Sequence, residues 1–298
     1  MGHYIFMDGA YVDRSEAHVS VFDHGLLYGD GVFEGIRAYS GNVFKLNEHI
    51  DRLYDSAKSI LLNIPHSKEE LAEIVLETLR KNGYDSAYIR LVVTRGIGNL
   101  GLDPFLCQTA SVFVIAEQLA MFPRELYEQG IEVITAATRR TRSDILSPKV
   151  KSLNYLNNIL VKIEAHNAGV NEALVLNSEG YVVEGSGENV FIVKNGVLYT
   201  PPIYLGALDG ITRKAVISLA RSEGYTIVEE PFTRHDVYVA DEVFLTGTAA
   251  EIVPVVKVDG RIIGNGKPGL YTGVLHERFQ GLTPVDGAKV EVHEVANT

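Results

Sequence analysis

Short apolar runs punctuated by tight-turn signals constrain the fold of this chain more than any other feature. Tyr4 to Met7 and Ala10 to Val12 flank Asp8-Gly9, and Val32 to Tyr39 and Asn42 to Leu46 flank Ser40-Gly41. Such segments read as β-hairpins, because aspartate, serine and glycine tolerate the backbone angles of a tight turn. Tyr88 to Thr94 and Ser111 to Ala116 are also rich in strand formers. Ile50, Leu53, Tyr54, Ala57, Ile60 and Leu61 recur at helical spacing behind Asn47, the expected cap, and a second helix is predicted from about Ser67 to Lys81. The first third is therefore predicted to be an α+β unit.

From Gln118 to Gly130 the strand pattern lapses and Pro123 stands among polar residues, so the interdomain connection is expected there. This gives a small N-terminal domain over 1–117, a connecting loop over 118–130 and a larger domain over 131–298. In the larger domain Leu153, Leu156, Ile159, Leu160 and Ile163 predict a helix directly after Lys151. Ala173 to Leu176, Tyr181 to Val183, Val190 to Val193 and Val197 to Tyr199 follow as antiparallel strands, with turns at Asn177-Ser178-Glu179-Gly180 and Lys194-Asn195-Gly196. A helix from about Thr212 to Ser222 leads to strands Glu242 to Thr246 and Ile252 to Val258. The sheet is expected to be mostly hairpin-connected, and no internal repeat or low-complexity segment is evident.

At 298 residues with 46% hydrophobic content the chain can bury a sizeable core. Its formal charge of -11 disfavours nucleic acid and anionic membranes as partners. Cys107 is the one cysteine, so no disulfide can form within the chain, and the thiol is expected to act as a small buried hydrophobe. No apolar run approaches the roughly 18 to 20 residues that span a bilayer. The start Met1-Gly2-His3-Tyr4-Ile5-Phe6 lacks a basic segment followed by an apolar one, so the cytoplasm is the expected compartment.

The chemistry is concentrated between Lys151 and Asn189. Lys151 opens Lys151-Ser152-Leu153-Asn154-Tyr155, and Glu184-Gly185-Ser186-Gly187-Glu188-Asn189 follows about thirty residues later. A lysine amine can form an imine with an aldehyde, a tyrosine can polarise it, and a buried carboxylate can hold a heterocycle nitrogen protonated. Those are the groups that pyridoxal phosphate requires. Taken singly, Lys151 reads as a solvated residue and Glu184 as the surface end of a strand. Asp209-Gly210-Ile211-Thr212-Arg213 opens the later helix, where unpaired N–H groups and the macrodipole favour an anion such as phosphate. Its plain alternative is a capped helix start with an exposed arginine. Gly247-Thr248-Ala249-Ala250 is a small-residue turn, again rich in available N–H groups.

Together these segments resemble the class IV pyridoxal-phosphate aminotransferases, and most closely the branched-chain amino acid aminotransferases. The resemblance covers almost the whole chain. It includes His24 through Arg37, His49-Ile50-Asp51-Arg52-Leu53, Ala87-Tyr88-Ile89-Arg90, Lys151 through Asn158, Glu184 through Asn189, Gly210-Ile211-Thr212-Arg213 and Thr246 through Glu251. It implies the α+β / α/β, two-domain architecture of fold type IV, with a small α+β N-terminal domain and a larger pseudo-barrel domain.

By that resemblance Lys151 carries pyridoxal 5'-phosphate covalently, Tyr155 hydrogen-bonds its ring O3' and Glu184 pairs with the pyridine nitrogen. Arg52, Ile211, Thr212 and Thr248 hold the phosphate, although helical periodicity alone would leave Arg52 solvated. The substrate carboxylate meets Thr248 and Ala249, supported by Tyr88 and Arg90, while Tyr28 and Phe33 line the side-chain pocket. Strand alternation places Phe33, Gly35 and Arg37 on one side, an aromatic wall beside a glycine gap. No metal is assigned. The implied reaction is ping-pong transfer of the amino group of leucine, isoleucine or valine to 2-oxoglutarate, in amino-acid biosynthesis. The substrate displaces Lys151, whose freed amine moves the Cα proton to the cofactor's C4'. The family also implies a homodimer or a higher homo-oligomer.

Three other activities compete. A D-amino acid aminotransferase shares the lysine and glutamate, but its usual Arg-x-His pair has no counterpart in Arg95-Gly96-Ile97-Gly98-Asn99. An aminodeoxychorismate lyase lacks the second half-reaction, and a cofactor-free lysine aldolase leaves Glu184 and the phosphate-type helix start without roles. Arg139 to Arg142 is basic; its plain reading is a solvated loop, and its sharper one an arginine for the second carboxylate of 2-oxoglutarate.

Overall fold

The computed structural model describes residues 3–118 and 123–290. Met1 and Gly2, four residues of the expected connecting loop and the last eight residues lie outside the described residues. Contacts divide the described chain into two compact units, one of residues 3–118, 150–154 and 282–290, the other of 123–149 and 155–281.

In the first unit β1 (Tyr4–Met7) and β2 (Ala10–Asp13) meet across Asp8 and Gly9, both at positive φ. The short helix α1 (His24–Tyr28) leads into β3 (Gly31–Tyr39) and β4 (Asn42–Phe44), followed by α2 (Leu46–Ser59), α3 (Lys68–Asn82), β5 (Ala87–Thr94) and β6 (Ser111–Glu117). The antiparallel sheet runs from the strand Gly287–Lys289 through β4, β3, β5, β6 and β1 to β2. Alternation sorts its two faces. Val32, Ile36 and Ala38 of β3 and Ile89, Leu91 and Val93 of β5 join Leu46, Ile50, Leu53, Leu71, Val75 and Leu79 of the two helices in one core. Each of the valine, leucine and isoleucine side chains contributes about 1.5–3 kcal/mol by leaving water.

The α3 start is as the sequence predicts, with Ser67 and Glu70 forming a capping box. The α2 start is not. The cap residue is Lys45, in the left-handed region at φ 52°, and its ammonium reaches Glu48 and Asp286. The helix thus begins before Asn47, because the tight exit from β4 sets the first turn.

The second unit contains α4 (Arg124–Gln129), inside the expected connecting loop, then β7 (Ile131–Arg139), α5 (Leu156–Asn167), β8 (Glu172–Leu176), β9 (Val182–Glu184), β10 (Asn189–Lys194) and β11 (Val197–Thr200). It continues with α6 (Ile211–Ser222), β12 (Thr226–Glu229), α7 (Arg234–Tyr238), β13 (Glu242–Gly247), β14 (Glu251–Val258) and α8 (Leu270–Leu282). The sheet order is β12-β11-β10-β13-β14-β7-β8-β9, with Arg261–Ile262 pairing β14. Val182 N–H of β9 donates to Phe232 O, just beyond β12, at 2.9 Å. The two edges therefore curl toward each other around Val133, Leu174, Val190, Leu245 and Val253, a pseudo-barrel.

Two expectations are corrected here. The sheet is mixed rather than mostly hairpin-connected: β7 pairs in parallel with both β8 and β14, and β11 with β12. Parallel neighbours need a crossover, which α5 and α6 supply. The second correction concerns α5. It starts at Leu156, because Ser152 bridges Val32 and Leu153 N–H donates to Gly31 O at 3.0 Å, holding the preceding residues extended. Its stripe of Leu156, Ile159, Leu160 and Ile163 is 45–67% exposed, while Val161 and Ala165 fill the small core against Ala136, Ala173 and Val175.

Candidate active site

The face of the first sheet opposite its helices gathers Phe33, Tyr88, Arg90 and Lys151. Phe33 N–H donates to Lys151 O at 3.0 Å, and Ser56 Oγ accepts from Lys151 N–H at 3.1 Å, so β3 and α2 together fix the lysine. Its ammonium stands 4.4 Å from the Phe33 ring centroid, and the Arg90 guanidinium lies 4.6 Å from the same ring. Arg90 Nη2 donates to Tyr88 Oη at 3.1 Å. A Cβ on Gly35 would come within 2.1 Å of that hydroxyl, which is why the strand carries a glycine there. Lys151 is thus half-buried against an aromatic wall, not a solvated residue beside a helix. Tyr28 is placed differently. It ends the exposed α1, with its hydroxyl donating to Leu100 O at 2.6 Å.

Beneath that face Glu34 is fully buried and accepts from Arg52 Nε at 2.8 Å and Nη2 at 2.7 Å, with His49 Nδ1 at 2.8 Å. Burial alone would raise its pKa, but the charge and donors of Arg52 and His49 outweigh it and hold the carboxyl at about 2. Burial, with the nearby charges of Arg52 and Lys151, depresses His49 despite Glu34. Arg52 is therefore a half-buried member of an ion-pair cluster, where helical periodicity leaves it solvated.

In the second unit Glu184 ends β9 and is buried. Its Oε1 faces Arg140 at 3.0 Å, and its Oε2 accepts from Leu208 N–H at 2.9 Å and Asn189 Nδ2 at 3.5 Å. Asn189 pairs with Thr246 across β10 and β13, so the Gly247–Ala250 turn is brought to the Glu184 loop; a Cβ on Gly247 would lie 3.4 Å from Glu188 Cγ. The α6 start is close too, since a Cβ on Gly210 would fall 2.0 Å from Asn189 Oδ1. Thus Glu184, Ile211, Thr212, Thr248 and Ala249 converge. Tyr155 caps α5 beside them, because Asn158 Nδ2 of that helix donates to Ser186 O at 2.5 Å. Arg213, exposed under the plain alternative for that helix start, is buried and donates to Pro201 O and Glu229.

The residues fit a phosphorylated pyridine aldehyde. Helix α6 begins at buried Gly210 with no side-chain cap, leaving first-turn N–H groups for an anion, and Thr246 Oγ1 is buried with no partner in the adjoining strand. Glu184 offers a buried carboxylate for a ring nitrogen.

Residues 31–258 match the family described as amino-transferase class IV, and the chain belongs to that family. Within it the chain is similar along almost its whole length to branched-chain amino acid aminotransferases. A Methanocaldococcus jannaschii relative is 59% identical over 286 residues, 96% of this chain and 98% of its own. The Pseudomonas aeruginosa branched-chain-amino-acid aminotransferase is 41% identical over 97% of this chain and 94% of its own. The crystal structure of the Escherichia coli branched-chain amino acid aminotransferase superposes with a TM-score of 0.93 at 39% identity, covering 97% of each chain. That of the T.th. branched-chain amino acid aminotransferase complexed with N-(5'-phosphopyridoxyl)-L-glutamate gives 0.90 at 42%, covering 95% of each. The fold is accordingly fold type IV.

Sequence reasoning gives no role to Glu34, His49 or Asn189, and weighs Arg140 only as part of the basic segment Arg139 to Arg142. Glu34 carries a signal in retrospect, an acidic residue flanked by Phe33 and Gly35 in an apolar strand. The pairing of Arg140 with Glu184 carries none, since the two are 44 positions apart.

Proposed function

We propose that the protein transfers the amino group of branched-chain L-amino acids to 2-oxoglutarate with pyridoxal 5'-phosphate, in two half-reactions. The observation that carries this reading is the Lys151 amine and the Arg90 guanidinium on one Phe33 ring. It sets a nucleophile beside an apolar wall and a carboxylate-binding cation. When bound, the cofactor supplies an aldehyde for Lys151 and an electron sink for the Cα carbanion. Arg52, oriented by Glu34, and the N–H groups of Ile211 and Thr212 with the Thr248 hydroxyl would hold its phosphate. Tyr155 would meet the ring oxygen and Glu184 the ring nitrogen. Thr248, Ala249, Tyr88 and Arg90 would bind the substrate carboxylate, with Phe33 and Tyr28 toward its side chain. The Lys151 amine would then take the Cα proton and give it to the former aldehyde carbon, two atoms along.

The D-amino acid alternative finds less support, because Arg95 is committed to Asp30 at 2.8 Å and to the Ile60 and Leu61 carbonyls. The exposed apolar stripe of α5, with Leu26 and Val21 near α1, supports a homo-oligomer of at least two chains. Among the described residues no helix is long and apolar enough to cross a membrane.

The test is the visible band of the purified protein, titrated with L-leucine and separately with D-alanine. Bleaching by L-leucine alone is expected. Bleaching by D-alanine alone moves the assignment to D-amino acids, and a colourless protein indifferent to added pyridoxal phosphate overturns it. Lys151→Ala should retain non-covalent cofactor binding and lose turnover.

A further inference from the structure

Arg140 has no role in that reading, yet it is the cation at Glu184. It continues β7 through its own N–H, which donates to Leu176 O at 2.9 Å, and its side chain is 3% exposed. Besides Glu184 Oε1 its guanidinium reaches the Gly185 carbonyl and Asn157 Oδ1, each at 2.9 Å. Asn157 returns a donation to Arg139 O at 2.9 Å. Asn157 lies in the first turn of α5, two residues past Tyr155. A buried guanidinium is a poor device for stability, because desolvation offsets most of what its pairs return, and Nε here has no partner. Its value lies in the fork, which joins a strand end and a helix start in fixed geometry.

We propose that Arg140 is a positioning residue for the cofactor ring. It fixes the Glu184 carboxylate, supplies its counter-charge and ties it to the helix start that carries Tyr155. The groups assigned to the ring nitrogen and the ring oxygen thereby keep one spacing. This rests on the Glu184 assignment above. Recognition of 2-oxoglutarate by the basic segment finds less support. Arg140 is turned to three protein acceptors, Arg142 pairs with Asp144 at 2.9 Å, and Arg139 donates to the Ala136 and Ala137 carbonyls.

The experiment compares wild type, Arg140→Met, Arg140→Lys, Glu184→Gln and the Arg140→Met/Glu184→Gln double variant. It measures pyridoxal phosphate affinity by absorbance titration, the pH midpoint of the visible band, and melting of the cofactor-free protein. Arg140→Met should weaken cofactor binding about tenfold or more, the size expected when a charged hydrogen-bond partner is lost, and shift the midpoint. In the Glu184→Gln background the same change should add little. If Arg140→Met fails to fold, Arg140→Lys decides, since it keeps the charge and loses the fork. An unchanged band and affinity with a lowered melting temperature would make Arg140 merely structural and overturn the proposal. So would a raised KM for 2-oxoglutarate with an unchanged band. A wild-type protein that binds no cofactor fails the underlying reading, whereas wild-type binding with indifferent variants fails this proposal alone.

Discussion

Glu34 in the first unit and Glu188 in the second are the same side chain at nearly the same depth, with 0% and 9% exposure, and their pKa values are driven in opposite directions. Glu34 sits among donors and a guanidinium and stays ionised, at about 2. For Glu188 burial is again the largest influence, and the charge of Glu172 adds to it, raising the carboxyl to about 8. The Gly187 N–H at 3.1 Å and the charge of Lys162 oppose this and lose, because the Lys162 ammonium is bound to Glu172 at 2.7 Å. Depth sets the penalty for both glutamates, and the sign of the nearest charge decides the outcome.

The strongest way to break that contrast is Glu34→Ala, which takes the counter-charge from Arg52 and the hydrogen-bond partner from His49. It should cost roughly 3–5 kcal/mol in denaturant melts and weaken cofactor retention. A loss below about 1 kcal/mol, the range of an exposed pair, would mean that Glu34 is not the anchor of the cluster.

The pH limbs sharpen the contrast next. The depressed Glu34 contributes stability that is present above its ordinary 4.5 and is lost as pH falls toward about 2. The raised Glu188 keeps in the folded state a proton that the unfolded chain releases above 4.5, so its contribution declines as pH rises from 4.5 to about 8. Glu188→Gln retains a donor and an acceptor. It should stabilise the protein by about 1–3 kcal/mol at pH 8.5 and have little effect near pH 4.5. An equal effect at both values would remove the protonated glutamate from the comparison.

The smallest effect is expected at Arg142→Ala. Its pair with Asp144 is exposed, so neither the melting temperature nor the cofactor band should change. A measurable change would show that depth is not what separates Arg142 from Arg140.

The sequence is most readable where the structure is local. The turn at Asp8-Gly9, the extent of the helix that follows Ser67 and the strand alternation that puts Phe33 and Gly35 on one face all appear as expected. Legibility fails where a distant partner decides. The apolar stripe of α5 announces a helix but not that the stripe is exposed, and the parallel pairing of β7 depends on strands far along the chain. Lys151, Tyr155 and Glu184 stand out by their resemblance to a family, but the depth of Glu184 and the cations around both glutamates are tertiary facts.

The pairing of Gly287–Lys289 with β4, and the placement of residues 151–153 along β3, make the first unit discontinuous. Emerging from a ribosome, its edge strand arrives only after the whole of the second unit has been made, so the amino-terminal half cannot complete its sheet on its own. A single protease cut before β7 would not release a finished first unit. It would leave two complementary fragments, one of which still carries the lysine and the edge strand that the other lacks.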